Sequence, residues 1–334
     1  MTKYLLPQNG NFYKANLHSH STVSDGRNTP KEMKDYYKEH GYQILALTDH
    51  ELLVDHSDLS EPDFLMLTGY EYAFVEDVPY SYARTLEINL FPKDPKNLTQ
   101  ICFNPKNVWH GEKWRCETLA YHGGIYERKL TKESVQEVVN EAVKHGFLVS
   151  LNHPHYSFIS PEFFGKINGL FAMEVHNQGS YYNSCDYNPQ MYDQMLRMGH
   201  KVFPIASDDN HRAYVYDDKI DIRPWGFNMI KAERLTYDIV IKALENGDFY
   251  ASQGPQIYDL YVENGVINVK CDEVKAIIMH TKNRFFVQRH ADVGCVLTSA
   301  KIIVPKDEYM WIEVVDAYGR RALTRAYYKD EMTE

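Results

Sequence analysis

The chain has 334 residues, enough for one large α/β domain with a small second one, or for two medium domains. Its apolar fraction of 44% and charged fraction of 25% suit a globular protein with a real core. The net charge of -10 argues against an extended nucleic-acid surface, so an anionic substrate would need metal ions or a few placed arginines and lysines.

Cys102, Cys116, Cys185, Cys271 and Cys295 are odd in number and include no C-x-x-C pair. This points away from a disulfide framework and a thiolate zinc site, and toward a reducing compartment. Residues 1–11 lack the apolar stretch of a signal peptide, and no run approaches the roughly 18 apolar residues of a membrane span. The expected setting is cytoplasmic, with no membrane contact. Thirteen of the fifteen histidines lie at or before position 211, which puts the chemistry in the first two-thirds of the chain.

In chain order, Ala15 to Leu17 reads as a strand ending at His18. Thr29, Pro30 and Glu32 start a helix with an N-cap, a first-turn proline and a capping-box glutamate, and Gly41 ends it. Strands follow at Ile44 to Leu47, running to His50, at Phe64 to Leu67, ending near Glu71, and at Thr85 to Leu90. Pro92 to Lys129 has no period and is too long for an ordinary loop, so it is expected as an insertion over the active-site face. Val135, Val138, Val139, Ala142 and Val143 then form a helical stripe. Phe147 to Leu151 runs as a strand into His153, and Leu170 to Val175 into His176 and Asn177. A helix capped by Asn188 follows, then a strand from Val202 to Ala206 that leads into Asp208, Asp209, Asn210 and His211. Gly226 to Ile230 and a helix over 236–246 complete the series.

Strands alternating with helices imply a parallel sheet, with polar residues gathered just after the strands. The expected fold is α/β: a distorted seven-stranded (β/α) barrel over residues 1–252, with the insertion at about 92–130. After Ser252 the helical patterns stop. Short strand patterns with Gly, Asn and Asp turns predict a small antiparallel β-sandwich over 253–334, a candidate surface for forming oligomers.

His18 and His20 are one residue apart at a strand end, so both imidazoles can face one ion. A lone H-x-H is weak. It gains weight because Asp25 follows in the next loop, His50, Glu71 and His153 each end a separate strand, and Asp209 and His211 together end another. The sequence resembles the PHP family, named for polymerase and histidinol phosphatase, over about residues 14–250. The resemblance rests on His18-Ser19-His20, Ser24-Asp25-Gly26, Thr48-Asp49-His50, Gly69-Tyr70-Glu71, Asn152-His153-Pro154 and Asp208-Asp209-Asn210-His211.

The resemblance implies two or three divalent ions and hydrolysis of a phosphate mono- or diester on a small molecule, with an ion-activated water as nucleophile. By position, His18, His20, Glu71 and Asp209 would hold one ion. Glu71 would bridge to a second, also held by His153, and Asp25, His50 and His211 would hold a third. Nitrogen and oxygen donors without sulfur suit Zn, Mn or Fe. Where similar sequences have a His-x-Asn strand, this one reads Glu87-Ile88-Asn89. Either Glu87 ligates the second ion, His122 or His110 reaches in, or that ion binds weakly. Glu71 and Asp209 are the central catalytic candidates, and His176, Asn177, Arg27 and Arg212 are candidate phosphate donors. Asp49 and Asp208 are read as orienting groups. The alternatives are an amidohydrolase-type enzyme acting on C–N or C–O bonds and a non-catalytic metal-binding protein.

Overall fold

Local signals place the first helix. In the computed structural model, which describes residues 2–79, 82–212 and 224–333, α1 spans Pro30–Glu39 with both halves of the Thr29–Glu32 capping box formed. Before it lie β1 (Thr2–Tyr4) and β2 (Asn11–Asn16). After it come β3 (Ile44–Leu47), β4 (Leu65–Thr68), β5 (Tyr70–Val75) and β6 (Thr85–Pro92). Helix α2 (Lys132–Lys144) buries Val135, Val138, Val139 and Ala142 of the apolar stripe its sequence carries, while Val143, expected in the same stripe, falls at its edge and is exposed. Then follow β7 (Phe147–Leu151), a short α3 (Pro161–Phe164), β8 (Ala172–Asn177), α4 (Pro189–Arg197) and β9 (Phe203–Ser207). Asn188 stands at the N-cap of α4 without a side-chain cap bond, its side-chain Nδ2 donating instead to the carbonyl of Cys185 at 2.9 Å. The segment closes with β10 (Phe227–Ala232), α5 (Tyr237–Asn246) and β11 (Phe249–Ser252).

Among the described residues the strands do not join into one closed ladder, so the distorted seven-stranded barrel expected from the sequence is not shown. Parallel pairs join β2 to β3, β3 to β4, β7 to β8 and β8 to β9. Strand β6, however, runs antiparallel to both β5 and β7. The connection over 76–84 is shorter than the dozen or so residues a parallel crossover needs, so β6 must return as a hairpin partner. The strands β5 to β9 make one sheet, while β2, β3 and β4 belong to another. Between them, the Asn228 side chain of β10 bonds the backbone of Ala206 at 3.0 and 2.8 Å, and isolated bridges join Ser19 to Asn210 and His50 to Glu71.

Beyond residue 252 lie β12 (Ile257–Glu263), β13 (Val266–Val274), β14 (Ala276–Thr281), β15 (Val287–His290), β16 (Leu297–Ile303), β17 (Tyr309–Val315), β18 (Arg321–Thr324) and β19 (Tyr327–Tyr328). One sheet is ordered β1-β12-β13-β16. A second runs β15-β14-β17-β18-β11-β10-β2-β3-β4, so it crosses position 252 without a break. The faces of the two sheets share a core that includes Leu260, Val269, Ile277, Ile312 and Val314. Among the described residues, no helix is long and apolar enough to cross a membrane.

The 93–131 segment contains only short 3-10 turns, at Pro105–Asn107 and Lys113–Glu117. It nevertheless has its own apolar contacts, since Phe103 and Val108 cluster with Val23 and Leu52 from the loops after β2 and β3. Arg128 ties it down by a two-pronged ion pair to Glu51 at 2.7 and 2.8 Å, with both side chains buried. The Gln100 side chain adds bonds to the Glu51 carbonyl at 2.7 Å and the Leu53 amide at 3.1 Å.

Candidate metal centre

Extended chain beyond β2 carries His18 and His20, with Ser19 between them held by its hydroxyl to the Ala46 carbonyl at 2.9 Å. Residues two apart on such a chain face the same side, and the two Nε2 atoms lie 3.2 Å from each other. The Glu71 carboxylate reaches four imidazoles. Its Oε1 is 3.3 Å from His18 Nε2 and 3.6 Å from His153 Nε2. Its Oε2 is 3.3 Å from His20 Nε2 and 3.1 Å from His50 Nδ1. Asp209 Oδ1 lies 3.3 Å from His18 Nε2 and 3.1 Å from His20 Nε2. Asp209 takes a left-handed backbone, φ +50°, and its amide donates to the His18 carbonyl at 3.1 Å. Aspartate is one of the few residues that tolerates this region.

Two further groups adjoin this one. Glu87 Oε2 stands 3.4 Å from His153 Nε2, and Glu87 also groups with His50 and Glu71. Because β6 is reversed, its early residues open onto the same mouth as the ends of β7 and β8. On the other side Asp25 lies 3.4 Å from His211 Nε2, 3.7 Å from His20 Nδ1 and 3.8 Å from His50 Nε2. His20 therefore joins the group with Asp25, His50 and His211, a membership the motifs alone did not indicate.

The donor set fits divalent cations. An ion with ligands at about 2.0–2.2 Å holds neighbouring donor atoms roughly 3 to 4 Å apart. The spacings of 3.3, 3.1 and 3.4 Å for His18–Glu71, His20–Asp209 and His211–Asp25 fall in that range. Asp209 Oδ1 is also buried without a hydrogen-bond partner, a cost that a cation would remove.

Glu174 was not among the residues read from the sequence, yet it holds the centre from behind. Its Oε1 is 2.8 Å from His18 Nδ1 and accepts from the Ser207 hydroxyl. Its Oε2 accepts from the His153 amide at 2.8 Å and the Asn177 side chain at 2.9 Å. Asn152 Nδ2 donates to Glu71 Oε1 at 2.6 Å and to Asn89 at 2.9 Å. Asp49 accepts from the backbone and hydroxyls of Ser21 and Ser24, at 2.7 to 3.1 Å, so it shapes the loop that carries Asp25. Asp208 accepts from Asn16 at 2.6 Å and from the Tyr37 hydroxyl at 2.6 and 2.7 Å, and anchors the loop before Asp209.

Burial alone would discharge each of these groups. Around His18 the carboxylates of Asp209, Glu71 and Glu174 outweigh it and keep the imidazole well above its usual pKa. Against the same burial, Asp209 and Glu71 hold His20 at about 10. Glu71 and Glu87 hold His153 at about 9. Burial wins at His50, which falls to about 4. Burial, then the charge of Glu71, push Glu87 up to about 8. Glu71 and Asp209 resist burial through the surrounding imidazoles and stay well below the ordinary carboxylate range.

Other candidate residues stand apart. His176 is buried, with Nδ1 3.0 Å from Gln253 Nε2 and its ring edge-on to Trp225 at 6.2 Å, and it belongs to none of the donor groups found among the described residues. Asn177 touches the centre through Glu174 and through Asp209 Oδ2 at 3.4 Å. Arg212 is exposed, its amide donating to Asn210 Oδ1 at 2.7 Å, and Arg27 is exposed, its amide donating to the His211 carbonyl at 2.9 Å. His122 stacks on His145 at 3.8 Å, and the pair lines a separate hollow with Glu141 and Lys144. His110 lines a cavity with Asp25, His50 and Glu87.

No family model matches the chain. No curated protein matches it either. Solved structures do. A two-domain protein from Bacteroides vulgatus, containing a predicted PHP-like metal-dependent phosphoesterase, has 15% identity and a TM-score of 0.49, with 98% of this chain and 97% of that one covered. A structure from Bifidobacterium adolescentis, to which a metal-dependent phosphoesterase activity is ascribed by prediction, has 18% identity and a TM-score of 0.41, with 62% and 90% covered. An amidohydrolase from Chromobacterium violaceum, with bound sulfate and no metal, has 15% identity and a TM-score of 0.41, with 60% and 88% covered.

Proposed function

We propose that the chain is a metal-dependent phosphoesterase of the PHP family, acting on a small phosphorylated molecule, with its hydrolase unit in residues 1–252. One observation carries this proposal: a single buried carboxylate, Glu71, faces His18, His20, His50 and His153 within 3.6 Å. A carboxylate whose two oxygens each meet two imidazoles is suited to bridging cations, and Asp209, Glu87, Asp25 and His211 supply the remaining donors. Bound divalent ions would supply Lewis acidity toward phosphoryl oxygens and a water of lowered pKa. The chain's own part is to fix the donors. Glu174 sets the ring of His18, Asn152 steadies Glu71, and Asp49 shapes the loop that carries Asp25.

The test is to measure the metal content of the purified protein and then phosphate release from a panel of mono- and diesters. The proposal expects at least two divalent ions per chain and turnover that needs them. Bound metal with no phosphoester turnover, but hydrolysis of amides, would favour the amidohydrolase alternative.

A further inference from the structure

A cavity of about 390 Å³ opens directly on the donor groups, within the range of small-molecule pockets, about 300–1,000 Å³. Asp25, His50 and Glu87 line it together with Trp109, His110 and Tyr156. No lysine or arginine is among the described residues around it, so a ligand reaching past the metal donors meets aromatic surface and not positive charge.

That aromatic side is built. Gly111 sits at φ +65°, and a Cβ there would lie 2.0 Å from the Val23 carbonyl oxygen, so only glycine lets the insertion press this closely onto the loop that leads to Asp25. The Glu112 amide then donates to that same carbonyl at 2.9 Å. This contact holds Trp109 and His110 at the mouth, and the Arg128–Glu51 pair secures the far end of the insertion. Tyr156 follows the ligand His153 by three residues, with its ring edge-on to that imidazole at 5.7 Å. Trp109 and Tyr156 both keep large exposed surfaces, at 46% and 41%, despite this anchoring.

Given phosphoester hydrolysis at this centre, on which the inference rests, we propose that the cavity receives the alcohol portion of the substrate and that Trp109 and Tyr156 select phosphomonoesters whose alcohol carries a planar aromatic ring, such as a nucleoside. Stacking against a flat ring is tolerant of ring identity and needs no cation.

The experiment compares a nucleoside 5′-monophosphate with glycerol 3-phosphate, whose leaving alcohols are chemically alike. Wild type should favour the nucleotide. Trp109→Ala and Tyr156→Ala should lower the kcat/KM ratio of nucleotide to glycerol phosphate by roughly fivefold or more, while Trp109→Phe restores much of it. Trp114→Ala, in the same insertion but away from the cavity, should leave the ratio alone, and metal content should not change in any variant. An unchanged ratio in both alanine variants overturns the proposal, as does equal loss on both substrates. If wild type hydrolyses neither ester, the wider panel of mono- and diesters decides the phosphoesterase assignment and the readout for the cavity moves to binding. Calorimetric binding of the nucleoside monophosphate to the metal-loaded protein then decides: binding lost in Trp109→Ala supports the aromatic wall, and no binding by wild type overturns it.

Discussion

His18 and Glu174 are buried partners, with Nδ1 of the histidine 2.8 Å from Oε1 of the carboxylate. Burial works against the charge on Glu174, but His18 and His153 keep its pKa below the usual carboxylate value. As an anion it can only accept, so a proton sits on His18 Nδ1, and a cation that replaces the proton on Nε2 would meet a ring already aimed at Glu71 and Asp209. Glu174→Gln should therefore lower metal affinity by about 10- to 100-fold with the fold retained. Competition with a chromogenic chelator, alongside circular dichroism, checks this. Wild-type affinity in the variant would mean that Glu174 does not set the ring.

Glu87 stands where the resemblance to the PHP family implies a histidine, and it faces His153 at 3.4 Å. Glu87→Ala should cost about one equivalent of bound metal, and Glu87→His should restore it, because imidazole and carboxylate both suit these ions. Plasma mass spectrometry on dialysed protein reads the stoichiometry directly. An unaltered metal count in Glu87→Ala would remove this residue from the ligand set.

The pH response of the metal-free protein has a definite sign. His20 and His153 have folded pKa values of about 10 and 9, above the unfolded value of about 6.5. Their contribution to stability is full below the unfolded pKa and is lost as pH climbs through the folded values. Glu87, raised to about 8, acts in the same direction. The melting temperature of chelated protein should fall between pH 7 and 10. Saturating Zn or Mn should flatten that slope, since cations take the place of the protons. A chelated protein that gains stability over this interval contradicts the electrostatic picture.

Arg128 and Glu51 test how the insertion is held. Their ion pair is buried on both sides, at 6% and 2% exposure. Arg128→Met leaves the Glu51 carboxylate buried and unpaired, so it should cost about 3–5 kcal/mol in urea unfolding. A loss under about 1 kcal/mol would mean that the pair does not anchor the segment.

Features that depend on nearby residues were legible in the sequence. The Thr29–Glu32 capping box, the α2 stripe apart from Val143, and the His18-x-His20 pair formed as their local patterns indicate. Features set by distant partners were not. The reversal of β6 follows from a short connection whose meaning depends on where β5 ends, and β5 itself was hidden behind the motif at Glu71. Strand β1 finds its partner in β12, some 260 residues away by register, which no local pattern encodes. His176 lies near the end of β8, a placement like that of the candidate ligands, but its ring turns to Gln253. Glu174 did leave a signal: a carboxylate inside the apolar run Ala172-Met173-Glu174-Val175 must find partners when that strand is buried.

The central claim is that hydrolysis needs cations held by the Glu71 centre. The most direct test is phosphate release from protein stripped by exhaustive chelation, followed as Mn or Zn is added back, with bound metal counted in the same samples. The account predicts no turnover in stripped protein, recovery that tracks the return of at least two ions per chain, and no recovery in Asp209→Ala. Turnover that persists in protein verified as metal-free would contradict it.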